Sequence, residues 1–486
     1  MSRNLSMMTD LYELTMMQGY FKEKKNNMVV FDAFYRSNPC GGGYAICAGL
    51  EQVIDYIKNL HFDYDDIAYL RSLGIFDTDF LEYLSGFHFT GNIYAIPEGT
   101  VVFPREPLVK VVAPIIEAQL VETALLNIVN HASLIATKAS RVVWAASGGG
   151  VMEFGLRRAQ GPDAGIYGAR AAMIGGCVGT SNVLTGQVFD VPVMGTHAHS
   201  WIMSFPDELT AFRTYAKYYP TACTLLVDTY DTLRSGVPNA IQVFKEMRDA
   251  GIKGKIGIRL DSGDLAYLSK KARAMLDEAG FTDAKITASC DLDEYLIADL
   301  KLQGCRIDSW GVGTNLITSK DCPSFGGVYK LAAIMDDDGN WIPKIKKSDN
   351  PEKVTNPGNK TVYRIYDSSN HMMIADLISL VDDSFDSSRD MTIFDPTYTW
   401  KHTDLKAGQY ELKELLIPVF ENGICVYESP SLREIMDYCK ADLATLWDET
   451  RRLVNPHQMY VDLSDRLFKM KSELLERMSM EQLDKQ

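Results

Sequence analysis

At 486 residues the chain exceeds what one ordinary core holds, and two or three domains are expected. With 46% apolar and 23% charged residues it has the profile of a soluble globular protein. A formal net charge of −15 argues against a nucleic-acid surface, since phosphate contacts need clustered Lys and Arg, yet it leaves room for a small phosphorylated ligand in a local basic pocket.

The opening residues, 1–12, lack the basic start and apolar run of a signal peptide. Within them Thr9-Asp10-Leu11-Tyr12 reads as an N-capped helix start. The first region, 1–114, mixes helices at 51–60 and 65–73 with strands at 100–104 and 107–112, the two strands joined by a turn. The apolar stretch 115–146 resembles a membrane span. Its longest uncharged piece, 123–137, is shorter than the ~18 residues a span needs and carries Asn127, Asn130 and His131, so a buried helix is expected.

The middle region, 115–335, has a repeating rhythm: an apolar strand, a polar cluster, a helix, then a closing Gly. Residues 225–227 lead into Asp228-Thr229-Tyr230-Asp231, 256–260 into Asp261-Ser262-Gly263-Asp264, 285–289 into Cys290-Asp291-Leu292-Asp293, and 306–310 into Gly311-Val312-Gly313-Thr314-Asn315. Such units imply a parallel sheet with helical crossovers. At least six of them inside ~220 residues favour a closed or nearly closed α/β barrel, whose chemistry gathers at the C-terminal strand ends. The third region, 336–486, opens with a surface loop at 343–357, continues through a strand at 361–366 and ends in an amphipathic helix at 464–482 that reads as a packing face.

The nine cysteines, at 40, 47, 177, 223, 290, 305, 322, 425 and 439, form no Cys-x-x-Cys pair. They read as reduced, mostly buried thiols of a cytoplasmic protein.

Several strand-end clusters can carry chemistry. Gly311, Gly313 and Thr314 can cradle a phosphate with backbone N–H groups and a hydroxyl, although tight turns use the same residues. Arg259 and Asp261 offer a fixed cation and an acceptor for a sugar or a magnesium–pyrophosphate, while Asp264 can serve as a helix cap. Thr196-His197-Ala198-His199 has two readings. A His-x-His metal pair of amidohydrolase type needs later histidines, and none stands between His199 and His371. The alternative is a nucleophilic histidine oriented by Asp228, with the other ring structural, the role expected for His197. Around 152–162, Phe154 supplies a flat apolar face and Arg157 a cation. Thr180, Ser181 and Asn182 can cap a helix or line the same cavity.

Taken together, Thr9-Asp10-Leu11-Tyr12, Glu153-Phe154-Gly155-Leu156-Arg157-Arg158-Ala159-Gln160-Gly161, Gly195-Thr196-x-Ala198-His199-Ser200, Arg259-Leu260-Asp261-Ser262-Gly263-Asp264 and Gly311-Val312-Gly313-Thr314 resemble the nicotinate phosphoribosyltransferase family over essentially the whole chain. Val328-Tyr329-Lys330-Leu331 and Asn455-Pro456-His457 look like further family elements. The resemblance implies an irregular α/β barrel of the type II phosphoribosyltransferase class, with an α/β sandwich-like domain built from both chain ends. It implies a homodimer with interfacial active sites, nicotinate, 5-phosphoribosyl 1-pyrophosphate and ATP as partners, and Mg2+ with the pyrophosphate or ATP. By the same resemblance His199 is the phosphorylated histidine held by Asp228. Tyr12 of the partner subunit and Phe154 sandwich the pyridine, Ser181, Thr196 and Arg259 contact nicotinate, and Arg157, Asp261, Gly311, Gly313 and Thr314 surround the ribose and phosphates. A nicotinamide-using relative carries an Asp where Ser181 stands. Facing a nicotinate carboxylate, that Asp would cost ~2 kcal/mol or more in a poorly solvated cavity. A barrel that only senses a sugar phosphate is the remaining alternative.

Overall fold

The computed structural model describes residues 4–350, 353–398 and 400–483, so residues 1–3 of the opening segment and 351–352 of the expected surface loop lie outside the described residues. The chain forms two compact units, 1–134 with 324–486, and 135–323.

In the first unit a seven-stranded antiparallel sheet runs Trp341–Pro343, Gly327–Met335, Met28–Tyr35, Val109–Pro114, Asn92–Ala95, Ile417–Glu421, Ile424–Cys425. A second sheet of six strands comes from residues 360–463, with one parallel pairing between Met373–Leu380 and Tyr460–Leu463. The strands expected at 100–104 and 107–112 do not form one hairpin. Val101–Val102 pairs with Ala45–Ile46, whereas Val109–Pro114 enters the large sheet, where nearly all its residues are buried. Continuous burial, not alternation, is what a strand covered on both faces needs. A buried charge cluster joins the chain ends. Arg364 reaches Asp376 at 2.7 Å and Asp442 at 3.2 Å and donates to the carbonyl of Val101, whose own N–H donates to Asp442.

The stretch 115–146 is two helices, Ile115–Leu120 and Glu122–Ala146, and among the described residues no helix is long and apolar enough to cross a membrane. The described cysteines are all free, but only Cys47, Cys177, Cys223 and Cys439 are buried, and Cys290 is exposed.

The second unit contains β1 (Gly150–Glu153), β2 (Gly179–Thr180), β3 (Ala222–Leu226), β4 (Lys255–Leu260), β5 (Lys285–Ala288) and β6 (Ser309–Val312). They pair in parallel in the order β2-β1-β6-β5-β4-β3. Residues 191–194, which lead into the Thr196–His199 cluster, contribute a single parallel bridge, Val193 to Thr180. The result is a curled partial barrel. Helices Pro162–Ile174, Val237–Asp249, Leu265–Glu278 and Glu294–Leu302 supply crossovers. Asp264 and Asp293 cap the last two by accepting the N–H groups of Tyr267 and Leu296, and Gly280 (φ 80°) ends one of them in the left-handed region that glycine tolerates. Because every strand runs the same way, all the polar clusters emerge at one edge of the sheet.

Candidate active site

At the ends of β3 and β4 five of the expected residues meet. Arg259, the penultimate residue of β4, is largely buried and uses its whole fork. Its Nε donates to Ser289 Oγ at 2.8 Å, Nη1 to Thr196 Oγ1 at 2.7 Å, and Nη2 to Asp261 Oδ1 at 3.0 Å. Ser289 in turn donates to Asp261. Burial pushes the Asp261 carboxyl upward, but the Ser289 hydroxyl and the Arg259 guanidinium outweigh it and hold the group below the ordinary range.

His199 opens the short helix His199–Met203 and is 39% exposed in its side chain, enough for a ligand to reach it. Its Nδ1 lies 3.1 Å from Thr229 Oγ1, while Nε2 faces Asp261 Oδ2 at 3.6 Å and Asp228 Oδ1 at 4.0 Å. Asp228 was expected to hold this ring; in the structure neither carboxylate is within hydrogen-bonding distance, and Asp261 is the nearer. Asp228 is buried, and its Oδ2 accepts from the Asp261 N–H and the Ser262 hydroxyl, both at 2.7 Å. Its Oδ1 has no hydrogen-bond partner and is the oxygen turned toward His199.

His197 does something else. It is buried against Tyr215, ring centroids 4.6 Å apart, and its Nε2 accepts the Leu226 N–H at 3.3 Å. Burial holds its pKa down at about 4, so the ring is neutral at pH 7. The two histidines thus have separate partners on β3 and its following loop.

A second group forms where β6, β1 and β2 end side by side. Glu153 is buried; its carboxylate accepts from the Gly155 N–H and the Thr180 hydroxyl, and its carbonyl accepts the Ser181 N–H. Burial raises its pKa despite those bonds. Phe154, half-buried, donates its N–H to the Val312 carbonyl at 2.8 Å. Asn182 caps Val183–Phe189, and Ser181 stands between that cap and Glu153. Arg157 is exposed in the turn Leu156–Arg158, and Thr314 opens the four-residue helix Thr314–Ile317. Among the described residues no hydrogen bond links either of them to the His199 cluster. Asn315 ties this edge to the next by donating to the carbonyls of Asp291 and Leu292. Tyr12 belongs to the first unit, on Leu11–Lys22, and is 46% exposed.

Ser289, Ser262, Thr229 and Glu153 were given no role from sequence. Ser289 could have been found: it is the polar residue that ends an apolar strand next to the β4 end, a position that faces the neighbouring strand tip in any parallel sheet.

Comparison with known proteins bears on this arrangement. Residues 7–130 match the nicotinate phosphoribosyltransferase N-terminal domain, 150–368 the nicotinate phosphoribosyltransferase family, and 359–471 its C-terminal domain. A nicotinate phosphoribosyltransferase of Bacillus subtilis is 48% identical over 95% of this chain and 93% of its own length. The human nicotinate phosphoribosyltransferase is 32% identical over 95% of each chain. A crystal structure of human nicotinic acid phosphoribosyltransferase superposes with a TM-score of 0.84 at 30% identity, over 96% of this chain and 99% of that one. A nicotinate-nucleotide pyrophosphorylase from Pyrococcus furiosus shares the fold, at a TM-score of 0.68 and 24% identity over 90% of this chain and 95% of that one. With matches spanning both units and the fold that of type II phosphoribosyltransferases, the chain belongs to the nicotinate phosphoribosyltransferase family.

Proposed function

We infer that this protein joins nicotinate to 5-phosphoribosyl 1-pyrophosphate, giving nicotinate mononucleotide and pyrophosphate for the salvage route to NAD. The observation that carries the reading is the Arg259–Thr196–Asp261–Asp228–His199 cluster at one strand edge, in a chain 48% identical to a nicotinate phosphoribosyltransferase.

Nicotinate lies against Phe154, with Tyr12 of a second subunit on its other face, so the enzyme is a homodimer. Arg259, Thr196 and Ser181 receive the carboxylate. The ring nitrogen, unprotonated at neutral pH, attacks C1 of the ribose; the C1–O bond breaks and its electron pair leaves with pyrophosphate. No general base is required, and the rate comes from positioning and from charge stabilisation around the leaving group. Arg157, Asp261, Gly313 and Thr314 surround the ribose and phosphates. Asp261 Oδ2 is a hard oxygen donor of the kind Mg2+ takes, and the ion, held mainly by pyrophosphate and water, would neutralise leaving-group charge.

His199 accepts the γ-phosphoryl group of ATP, releasing ADP, and water later takes that group from the ring as inorganic phosphate. Asp228 and Asp261 balance the positive charge that the ring carries during transfer. Free thiols suit work in the reducing cytoplasm.

Incubating the protein with phosphoribosyl pyrophosphate and either nicotinate or nicotinamide, with and without ATP, tests the reading. Nicotinate mononucleotide should form, ATP should accelerate it, and nicotinamide should be a poor substrate. Equal turnover of the amide would overturn the acid specificity assigned to Ser181.

A further inference from the structure

We propose that Gly311 is a positioning residue that seats the ring of Phe154, and through it the pyridine substrate; this rests on the reading of Phe154 as the face on which nicotinate stacks. The sequence offers the Gly-Val-Gly turn as a phosphate cradle. The structure puts Gly311 inside β6, paired with Met152 of β1, so it belongs to the sheet and not to a loop. A Cβ built on Gly311 would stand 2.5 Å from Phe154 Cδ2 and 2.7 Å from Cε2, inside the ring edge. Ordinary contact begins near 3.4 Å, so any side chain here moves the ring by about 1 Å.

The ring has little freedom to yield by moving its backbone. The Phe154 N–H is bonded to Val312, the next N–H, of Gly155, is bonded to the buried Glu153 carboxylate, and a Cβ on Gly155 would meet Ile317 at 2.5 Å. Gly313 faces the same residue, with its would-be Cβ 3.1 Å from the Phe154 carbonyl oxygen. The helix that follows has only four residues, too short to focus a dipole on phosphate. Gly311 does not occupy the left-handed region, so an alanine is compatible with its backbone and the clash with Phe154 is the chief cost.

The test uses G311A, F154A and the double variant. In wild-type background G311A should raise the KM for nicotinate about tenfold or more while the KM for phosphoribosyl pyrophosphate stays within about twofold. In the F154A background, where the ring is gone, G311A should add less than about twofold. A larger rise in the phosphoribosyl pyrophosphate KM, or an equal G311A effect in both backgrounds, would overturn the assignment. Thermal unfolding of the same four proteins reads the seat without turnover: G311A should lower the Tm with Phe154 present and much less in the F154A background, and equal lowering would dispose of the contact. Absence of wild-type turnover would instead defeat the activity reading, leaving the Tm cycle to decide the seat.

Discussion

At His199 the ring sits between a hydroxyl and two carboxylates, one of which, Asp228, is buried with an oxygen left unpaired. Keeping a buried carboxylate oxygen free of partners is costly unless a cation forms opposite it. In the proposed reaction the ring becomes positive as it receives and loses a phosphoryl group, and so would supply that cation. Replacing His199 with Ala should therefore abolish ADP release that depends on nicotinate and phosphoribosyl pyrophosphate together. Uncoupled nicotinate mononucleotide synthesis should persist at a reduced rate; retention of full coupling in the variant would refute the role given to this ring. His197, two residues earlier, shows how little type and spacing alone decide. It is the same side chain, but it is neutral, buried and committed to the Leu226 amide.

Among elements, the helix Leu11–Lys22 departs most informatively from its sequence reading. Asp10 holds the N-cap position but makes no side-chain cap; its carboxylate accepts the Thr123 hydroxyl instead, at 2.8 Å. Glu13 is fully buried, accepts from Thr9 and from the N–H and hydroxyl of Thr123, and so fastens the helix that carries Tyr12 to the start of Glu122–Ala146. Burial lifts the Glu13 carboxyl to about 7. The folded state then keeps a proton that the unfolded chain loses near pH 4.5, so this group's contribution is full below that pH and is lost as pH rises toward 7. Glu13→Gln should flatten the corresponding fall in Tm between pH 4.5 and 7. An unchanged slope in the variant would show that other groups set it.

For the whole molecule, the proposed dimer makes a distinctive demand. If each site takes Tyr12 from one subunit and His199 from the other, then Tyr12→Ala and His199→Ala proteins, each impaired alone, should complement when their subunits are exchanged. A heterodimer would hold one doubly defective site and one intact site, so an equal mixture should recover about a quarter of wild-type activity. Subunit exchange with no recovery would place both residues in one subunit's site. The helices of the second unit also follow this logic of assembly, since each cap carboxylate needs only local chain, whereas the strand edge they frame draws on residues from 153 to 314.

Much was legible from the chain itself. The apolar strands, their closing glycines and the aspartate caps are local signals, and they located β4, β5 and the helices after them because backbone geometry within about ten residues is set by nearby side chains, whereas β3 begins before the expected 225–227 and β6 runs past the expected 306–310 to take in Gly311. The motifs at 153–161, 195–200, 259–264 and 311–314 likewise pointed to the family. Other features required the tertiary structure. Whether residues 101–102 and 109–114 pair with each other, which carboxylate lies nearer His199, and that Gly311 serves an aromatic ring all depend on contacts between segments far apart in sequence. Spacing along a chain records what a residue can do. Only packing, where a methyl group's worth of space or the distance from a carboxylate to a ring nitrogen decides, records which of those things it does.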